Sequence, residues 1–167
     1  MTSQSRVVLT GIVVVVAALS GPAGSVAEGN ETNTSGGAAV VRSGSDLSVS
    51  ALSAPSRAAV GSAIVVTDTT TNPGVGGADA SVTAFYLSAN STLDATDVRL
   101  APARAVGPLA AGAASDGAAN VIIPEIAPGA WFLIANADDD GLVDEMAESN
   151  NARIVSIHIV PTSTRSR

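Results

Sequence analysis

The sequence contains no cysteine, no lysine, a single histidine and few aromatic residues. The lack of cysteine excludes a disulfide framework, a thiolate metal site, a cysteine nucleophile and a lipid-modified amino-terminal cysteine. Aromatic residues make up 2% of the chain and apolar residues 46%, so the core has to consist of Val, Ile, Leu and Ala. Such a core is typical of packed β-sheets rather than of aromatic binding clefts.

Positive charge is also scarce, because eight arginines face fifteen acidic residues and the formal net charge is −7. An acidic surface repels phosphate backbones, so we expect no nucleic-acid binding and regard cations as the natural small partners. The length of 167 residues fits one domain of moderate size.

Residues 1–27 have the pattern of a secretory signal peptide. A short polar start with Arg6 is followed by an apolar run over 7–19 and by the small residues Ser25-Val26-Ala27. This run is shorter than the ~20 residues that a membrane-spanning helix needs, which favours cleavage over an uncleaved anchor. We therefore predict export to the cell surface, the extracellular space or the periplasm, with no membrane insertion after cleavage.

The domain is predicted to occupy residues 45–160. Residues 28–44 are rich in Gly, Ser, Thr and Asn and are predicted to form a flexible linker, because they carry too few apolar side chains to fold by themselves. Residues 161–167 form a short polar tail that we expect to be disordered.

The pattern within the domain predicts an all-β fold, an immunoglobulin-like β-sandwich of about seven strands, since β-branched runs alternate with Gly and Pro turn signals. The predicted strands are 47–52, 63–71, 81–88, 98–101, 118–123, 131–136 and 153–160. In the last run Val155, Ile157 and Ile159 alternate with polar residues, which places them toward a core. Asp68 shares a face with apolar neighbours, so either the register slips there or Asp68 is hydrogen-bonded at the domain edge.

The order of several short motifs over residues 45–160 resembles the CARDB family, the cell-adhesion-related domain found in bacteria. The matching residues are Asp46-Leu47-Ser48-Val49, Ala54-Pro55, Gly61, 65–69, Asn72, Gly74, Phe85-Tyr86-Leu87-Ser88, Asp94, Asp97, 109–112, Ile123-Pro124, Pro128-Gly129 and Glu148-Ser149-Asn150-Asn151. The resemblance implies an immunoglobulin-like fold and an extracellular role. One turn, Asp138-Asp139-Asp140-Gly141, is more acidic than the family pattern leads us to expect.

No pattern in the chain indicates an enzyme. His158, the only histidine, falls on the predicted solvent face of the last strand, and no nucleophile elbow or phosphate-binding glycine loop accompanies it. The pairs Phe85-Tyr86 and Trp131-Phe132 lie within strands, so neighbouring rings point to opposite faces. We interpret them as core or boundary packing rather than as a sugar-stacking platform.

Two acidic loops are the candidate functional positions. Asp138, Asp140, Asp144 and Glu145 crowd one loop, and a divalent cation would relieve their mutual repulsion. This loop is not an EF-hand, because Ala147 stands where the bidentate glutamate belongs. The second loop offers Asn90, Asp94 and Asp97. We state calcium binding at one of these loops as a hypothesis, against the alternative that Asp and Gly only serve turn geometry there.

These observations favour two functional hypotheses over a third. The first is a non-catalytic adhesion-type or interaction module whose strand edges and loops contact another protein or a cell-surface polymer. The second is a passive structural spacer or assembly domain of the cell envelope, with no ligand of its own. A secreted hydrolase would need a catalytic constellation that the sequence does not supply. Neither the oligomeric state nor the ligand follows from the sequence.

Overall fold

The computed structural model describes residues 44–162, which form eight β-strands and no helix within that range. The strands are β1 (Ser48–Ser53), β2 (Arg57–Ala59), β3 (Ala63–Thr71), β4 (Ser81–Ser88), β5 (Val98–Val106), β6 (Ala114–Ile122), β7 (Gly129–Asn136) and β8 (Ala152–Val160). The predicted signal peptide, all but the last residue of the predicted linker, and residues 163–167 of the predicted tail lie outside the described residues.

The strands form two sheets that pack face to face. One sheet has the order β1-β3-β6, and the other has the order β2-β8-β7-β4-β5. All neighbours are antiparallel except β2, which pairs in parallel with β8. This arrangement is that of an immunoglobulin-like sandwich, in which the first strand is divided between the sheets as β1 and β2. The predicted fold class is confirmed.

Three strand assignments differ from the sequence prediction by more than two residues. β2 is an additional strand of three residues, too short to produce a periodic pattern. β5 extends through Pro102 to Val106, which an edge strand permits because the missing proline N–H has no ladder partner there. β6 begins at Ala114 rather than at residue 118, because the long strand β3 provides pairing as far as Thr71, opposite Ala114.

The core follows the alternation of the strands. Ile64 and Val66 of β3 and Ile157 and Ile159 of β8 are buried between the sheets, as the sequence predicts, whereas Val155 is half-buried at the end of the core. Each buried aliphatic side chain of this size contributes about 1.5–3 kcal/mol. Since cysteine is absent, packing of this kind is the main source of stability.

Asp68 also points inward from β3, where its side chain is fully buried. Its register opposite Gly117 of β6 is continuous with the rest of the strand pair, so no slip occurs there. Instead, the guanidinium of Arg104 on β5 reaches across the sandwich and pairs with the carboxylate, with Arg104 Nε donating to Asp68 Oδ1 at 2.8 Å. Of the two alternatives that the sequence leaves open for Asp68, the hydrogen-bonded one holds.

Candidate functional site

The acidic loop that follows β7 begins with a tight turn held by Asp138. Asp138 has a φ of 45° and is buried, and its carboxylate accepts the backbone N–H groups of Leu142 at 3.3 Å and of Val143 at 3.0 Å. Burial raises the pKa of the Asp138 carboxyl, and the N–H of Val143 opposes that rise. Gly141 supplies a second residue with positive φ, at 60°. Asp138 thus shapes the loop from inside.

Asp139, which the sequence did not single out, attaches the same loop to the outer face of the larger sheet. It accepts a hydrogen bond from the Tyr86 hydroxyl at 2.6 Å and forms an ion pair with Arg99 at 3.0 Å. Its backbone N–H donates to the carbonyl of Val82 at 2.9 Å. Burial raises the pKa of the Tyr86 hydroxyl, and the hydrogen bond to Asp139 raises it further.

Glu145 attaches the far end of the loop to the start of the domain. Glu145 Oε2 accepts the backbone N–H of Leu47 at 2.7 Å, and Oε1 accepts a hydrogen bond from Asn151 Nδ2 at 3.3 Å. Ser45 adds to the contact, because its hydroxyl donates to the carbonyl of Asp144 at 2.8 Å and its carbonyl accepts the N–H of Met146 at 2.9 Å. We call this group, Ser45, Leu47, Glu145 and Asn151, the amino-terminal clamp.

The clamp contains an acid that ionises with difficulty. Burial raises the pKa of the Glu145 carboxyl to about 7, although the hydrogen bond from Leu47 works in the opposite direction. Repulsion from Glu148, Asp138 and Asp46 adds to the rise. Within the described residues, Asn151 Oδ1 is also buried without a hydrogen-bond partner. The clamp therefore contains a carboxyl group whose ionisation is disfavoured and one buried oxygen acceptor without a partner.

In the second acidic loop, between β4 and β5, the polar side chains accept hydrogen bonds from backbone N–H groups of the same loop. Asp94 Oδ1 accepts the N–H of Thr96 at 2.8 Å, and Asp97 Oδ2 accepts the N–H of Asp94 at 2.9 Å. Asn90 Oδ1 accepts the N–H of Thr92 at 2.7 Å. Hydrogen bonds from Thr96 lower the pKa of the exposed Asp94 carboxyl. The contacts of Asn90 and Asp94 with the N–H groups two residues further on are those of local Asx turns.

The structure does not bring the two loops together. Ser88, the last residue of β4, pairs with Phe132 near the start of β7, whereas the first acidic loop follows the end of β7. The loops therefore lie at opposite ends of the larger sheet.

Asp138, Asp139 and Glu145 of the first loop and Asp94 and Asp97 of the second loop already accept hydrogen bonds. Asp140 and Asp144 of the first loop are exposed, and no side-chain hydrogen bond of either is seen in the described residues.

The hypothesis of a calcium site can be compared with this geometry. Among residues 44–162 no group of three or more Asp, Glu or His side chains is placed to hold a metal ion. Calcium takes roughly six to eight oxygen ligands, and the side chains of the clamp supply fewer: the Glu145 carboxylate, Asn151 Oδ1 and the Ser45 hydroxyl. The side chains as they stand do not complete such a site. Calcium binding stays a prediction.

Comparison with known proteins decides the family. The family model for CARDB matches residues 44–155, two thirds of the chain and nearly all of the sandwich. The chain belongs to the CARDB family. A search of curated proteins gives no match.

Several solved structures are similar to this CARDB domain. A domain of a putative cell surface protein from Methanosarcina acetivorans has a TM-score of 0.50 and 16% identity, with 70% of this chain and 92% of that chain covered. The CARDB domain of a Pyrococcus furiosus protein, described in complex with di-metal ions, has a TM-score of 0.48 and 21% identity over 70% of this chain and 90% of that one. A solution structure of the same Pyrococcus furiosus domain has a TM-score of 0.49 and 20% identity over 70% and 95%. At these identities the likeness concerns the fold.

The single histidine and a surface groove lie on the outer faces of the two sheets of the CARDB domain. His158 is exposed on the outer face of the larger sheet. A groove of about 540 Å³ on the outer face of the smaller sheet is lined by one carboxylate, that of Asp116. The neighbouring Asp68 carboxylate points to the opposite, inner face, where Arg104 holds it. No helix in the described part of the chain is long and apolar enough to cross a membrane.

The aromatic pairs are split between the two faces of the larger sheet. Phe85 is fully buried in the core and Trp131 packs against the core, with its Nε1 donating to the carbonyl of Ala127 at 2.9 Å. Phe132 and Tyr86 lie half-buried on the outer face. One ring of each pair therefore packs toward the core, as expected.

Proposed function

We propose that this CARDB domain is a non-catalytic, exported adhesion-type module that contacts another protein or a cell-surface polymer through its exposed loops and strand edges. The family and the immunoglobulin-like fold support a surface module of this kind. The acidic loop after β7, residues 137–150, is the surface that the geometry favours most.

The observation that carries this proposal is a loop that is held firmly and yet presents apolar side chains to solvent. Asp138, Asp139 and Glu145 fix the loop from inside and at both ends. Leu142 is nevertheless 74% exposed and Met146 43% exposed. A preformed loop loses little conformational entropy on binding, which favours a contact role for its exposed side chains.

Binding of the labelled full chain to bacterial cells and to immobilised matrix tests the proposal. We expect saturable binding, and we expect Leu142→Ser combined with Met146→Ser to weaken it about tenfold, as truncation of apolar anchors does at interfaces. Val75→Ser is the matched control, because Val75 is 64% exposed outside this loop. The control is expected to bind like the wild type.

The alternative of a passive envelope spacer predicts no saturable binding to cells or matrix by the wild type. That outcome would replace adhesion with the spacer as the function. Loss of binding in the Val75→Ser control as well would remove the loop as the contact surface. Peptide and glycan hydrolysis assays on the full chain are expected to show no turnover, and measurable turnover would contradict the non-catalytic assignment.

A further inference from the structure

The sheets of the described domain end in four edge strands, and three of them carry features that hinder pairing with another chain. β1 has a bulge between Val49 and Ala51, and β2 is three residues long. β5 contains Pro102 and shifts register against β4. Prolines, bulges and short lengths of this kind protect sheet edges from unwanted strand addition.

β6 is the edge strand without such protection. Its nine residues pair with β3 in one continuous register and include no proline, no basic residue and no bulge. The outer face beside this edge carries two exposed apolar side chains, Ile122 at 61% and Val65 of the neighbouring strand at 52%. An edge that is long, regular and flanked by apolar side chains is suited to accept another strand.

The backbone groups that β6 offers can be identified from its pairing with β3. Ile123 N–H donates to the carbonyl of Ser62, and Asn72 N–H donates to the carbonyl of Ala113, both at 2.9 Å. Odd-numbered residues of β6 therefore direct their backbone groups to β3, and even-numbered residues direct theirs to the free edge. The even-numbered residues, whose side chains are all exposed, are Ala114, Asp116, Ala118, Asn120 and Ile122.

We propose that the β6 edge pairs with the β6 edge of a second copy of this chain, antiparallel and centred on Ala118, so that two three-stranded sheets become one six-stranded sheet. In this register Ala118 lies opposite Ala118 of the partner subunit. Asp116 lies opposite the partner's Asn120, and Ala114 lies opposite the partner's Ile122. Every even-numbered residue thus meets another even-numbered residue, as backbone pairing across a two-fold axis requires.

The side chains of β6 select this register. The strand has one charge, Asp116, and pairing it with an amide gives a hydrogen bond where two carboxylates would repel. A shift of two residues in either direction places Asp116 opposite Ala118 or Ile122 and reduces the number of pairs. The strand is therefore complementary to itself, which favours a second copy over an unrelated segment. Because the chain carries a net charge of −7, salt strengthens the dimer by screening repulsion.

The state of association of the full chain, measured by sedimentation velocity over a range of concentrations, tests this proposal. We expect a reversible monomer–dimer equilibrium that shifts toward dimer as salt rises. Ala118→Lys places two like charges together at the axis and is expected to weaken the dimer by about tenfold. Thr67→Lys is the matched control, since exposed Thr67 pairs with Ala118 on the same face but lies in the central strand. It is expected to keep the dimer.

A charge exchange tests the register. Asn120→Asp places two carboxylates opposite each other and is expected to weaken the dimer, and adding Asp116→Asn to it restores the complementary pair and the association. All variants retain residues 1–43, so association through that segment would be unchanged in every one of them.

Three results would overturn the proposal. The first is a wild type that stays monomeric at high concentration and high salt. In that case the partner of the β6 edge would be an extended segment of another protein. The second is equal weakening by Thr67→Lys and Ala118→Lys, and the third is a charge exchange that fails to restore association. The measurement needs no external ligand, so it can fail or succeed independently of the proposed adhesion function.

Discussion

Arg104 and Asp68 form a bidentate ion pair between the two sheets, with 9% of the Arg104 side chain and none of the Asp68 side chain exposed. Thr70 and Ser115 accept further hydrogen bonds from the same guanidinium, at 3.0 Å and 3.1 Å. A buried charge is tolerated only when it is paired and hydrogen-bonded in this way. The pair ties β5 to β3 and β6 at the edge of the sandwich where β6 lies.

We predict that Arg104→Met destabilises the full chain by about 3–5 kcal/mol, because it leaves the Asp68 carboxylate buried without a counter-charge. Arg104→Met combined with Asp68→Leu is expected to recover much of that loss. The free energy of unfolding in urea measures both effects. Arg99→Met is the control, because the Arg99–Asp139 pair is half exposed on the arginine side and such pairs contribute about 1 kcal/mol or less. Equal losses in Arg104→Met and Arg99→Met would contradict the assignment.

Gly117 of β6 makes room for Arg104. A Cβ atom added at Gly117 would collide with Cδ, Nε and Cζ of Arg104, whose guanidinium is fixed by the ion pair. We predict that Gly117→Ala lowers the stability by about 1–3 kcal/mol, the range for overpacked cores. Gly107→Ala is the control, because nothing lies within 4 Å of an added Cβ there. Thermal unfolding compares the two, and a Gly117→Ala variant as stable as the Gly107→Ala variant would refute the collision.

The sequence predicts a strand where the strand's own side chains show the pattern. It misses strand residues that are ordered only by pairing with a strand distant in the chain. β3 and β4 have the predicted bounds because their β-branched and aromatic runs are unbroken. The first residues of β6, by contrast, are Ala, Ser, Asp and Gly, which do not favour a strand by themselves. These residues are part of the strand because they pair with β3.

The candidate site could be predicted only in part, because its contacts also depend on residues that are distant in the chain. The sequence marks Asp138 and Glu145 as acids of the loop, but their role as acceptors of backbone N–H groups depends on how the loop closes. Asp139 stands out in the sequence only as part of an acidic turn, because its partners Tyr86 and Arg99 lie 53 and 40 positions away in the chain. Asp68 is different, because a carboxylate on an otherwise apolar strand face indicates that a hydrogen-bond partner is needed. The sequence could not name Arg104 as that partner.

Glu145 makes the stability of the domain depend on pH. Its folded-state pKa of about 7 lies above the ordinary value of 4.5, so between these values the folded state binds more protons than the unfolded state. Stability from this group is therefore complete below about pH 4.5 and is lost as pH rises to about 7. Because Glu145 is only partly buried, we expect a loss on the order of 1 kcal/mol.

Glu145→Gln tests this pH dependence. Glutamine has no charge and still accepts the N–H of Leu47, so the variant is expected to show a flatter stability profile between pH 4.5 and 7 and to be more stable than the wild type above that window. Urea unfolding at several pH values measures the profile. Glu125→Gln makes the same charge change on an exposed residue outside the clamp and is expected to keep the wild-type slope. Identical slopes in all three proteins would contradict the role of Glu145.

The calcium hypothesis predicts that the full chain melts at a higher temperature in excess calcium than in chelator. A ligand that binds only the folded state adds about 2.7 kcal/mol of stability at a concentration one hundred times its Kd. Measurement at pH 8 keeps Glu145 ionised, since its pKa is about 7. If the first loop is the site, Asp140→Asn combined with Asp144→Asn abolishes the increase.

The variants of the second loop complete the test. Asp94→Asn combined with Asp97→Asn removes carboxylates that only cap local turns, so this variant is expected to melt like the wild type in both conditions apart from a small loss of loop stability. A calcium effect that survives in the first-loop variant and disappears in the second would move the site to the second loop. Coincident melts of the wild type in calcium and chelator would contradict calcium binding altogether. Asp138 and Glu145 would then act only as the acceptors that close the turn and the clamp, and Asp140 and Asp144 would be solvated surface.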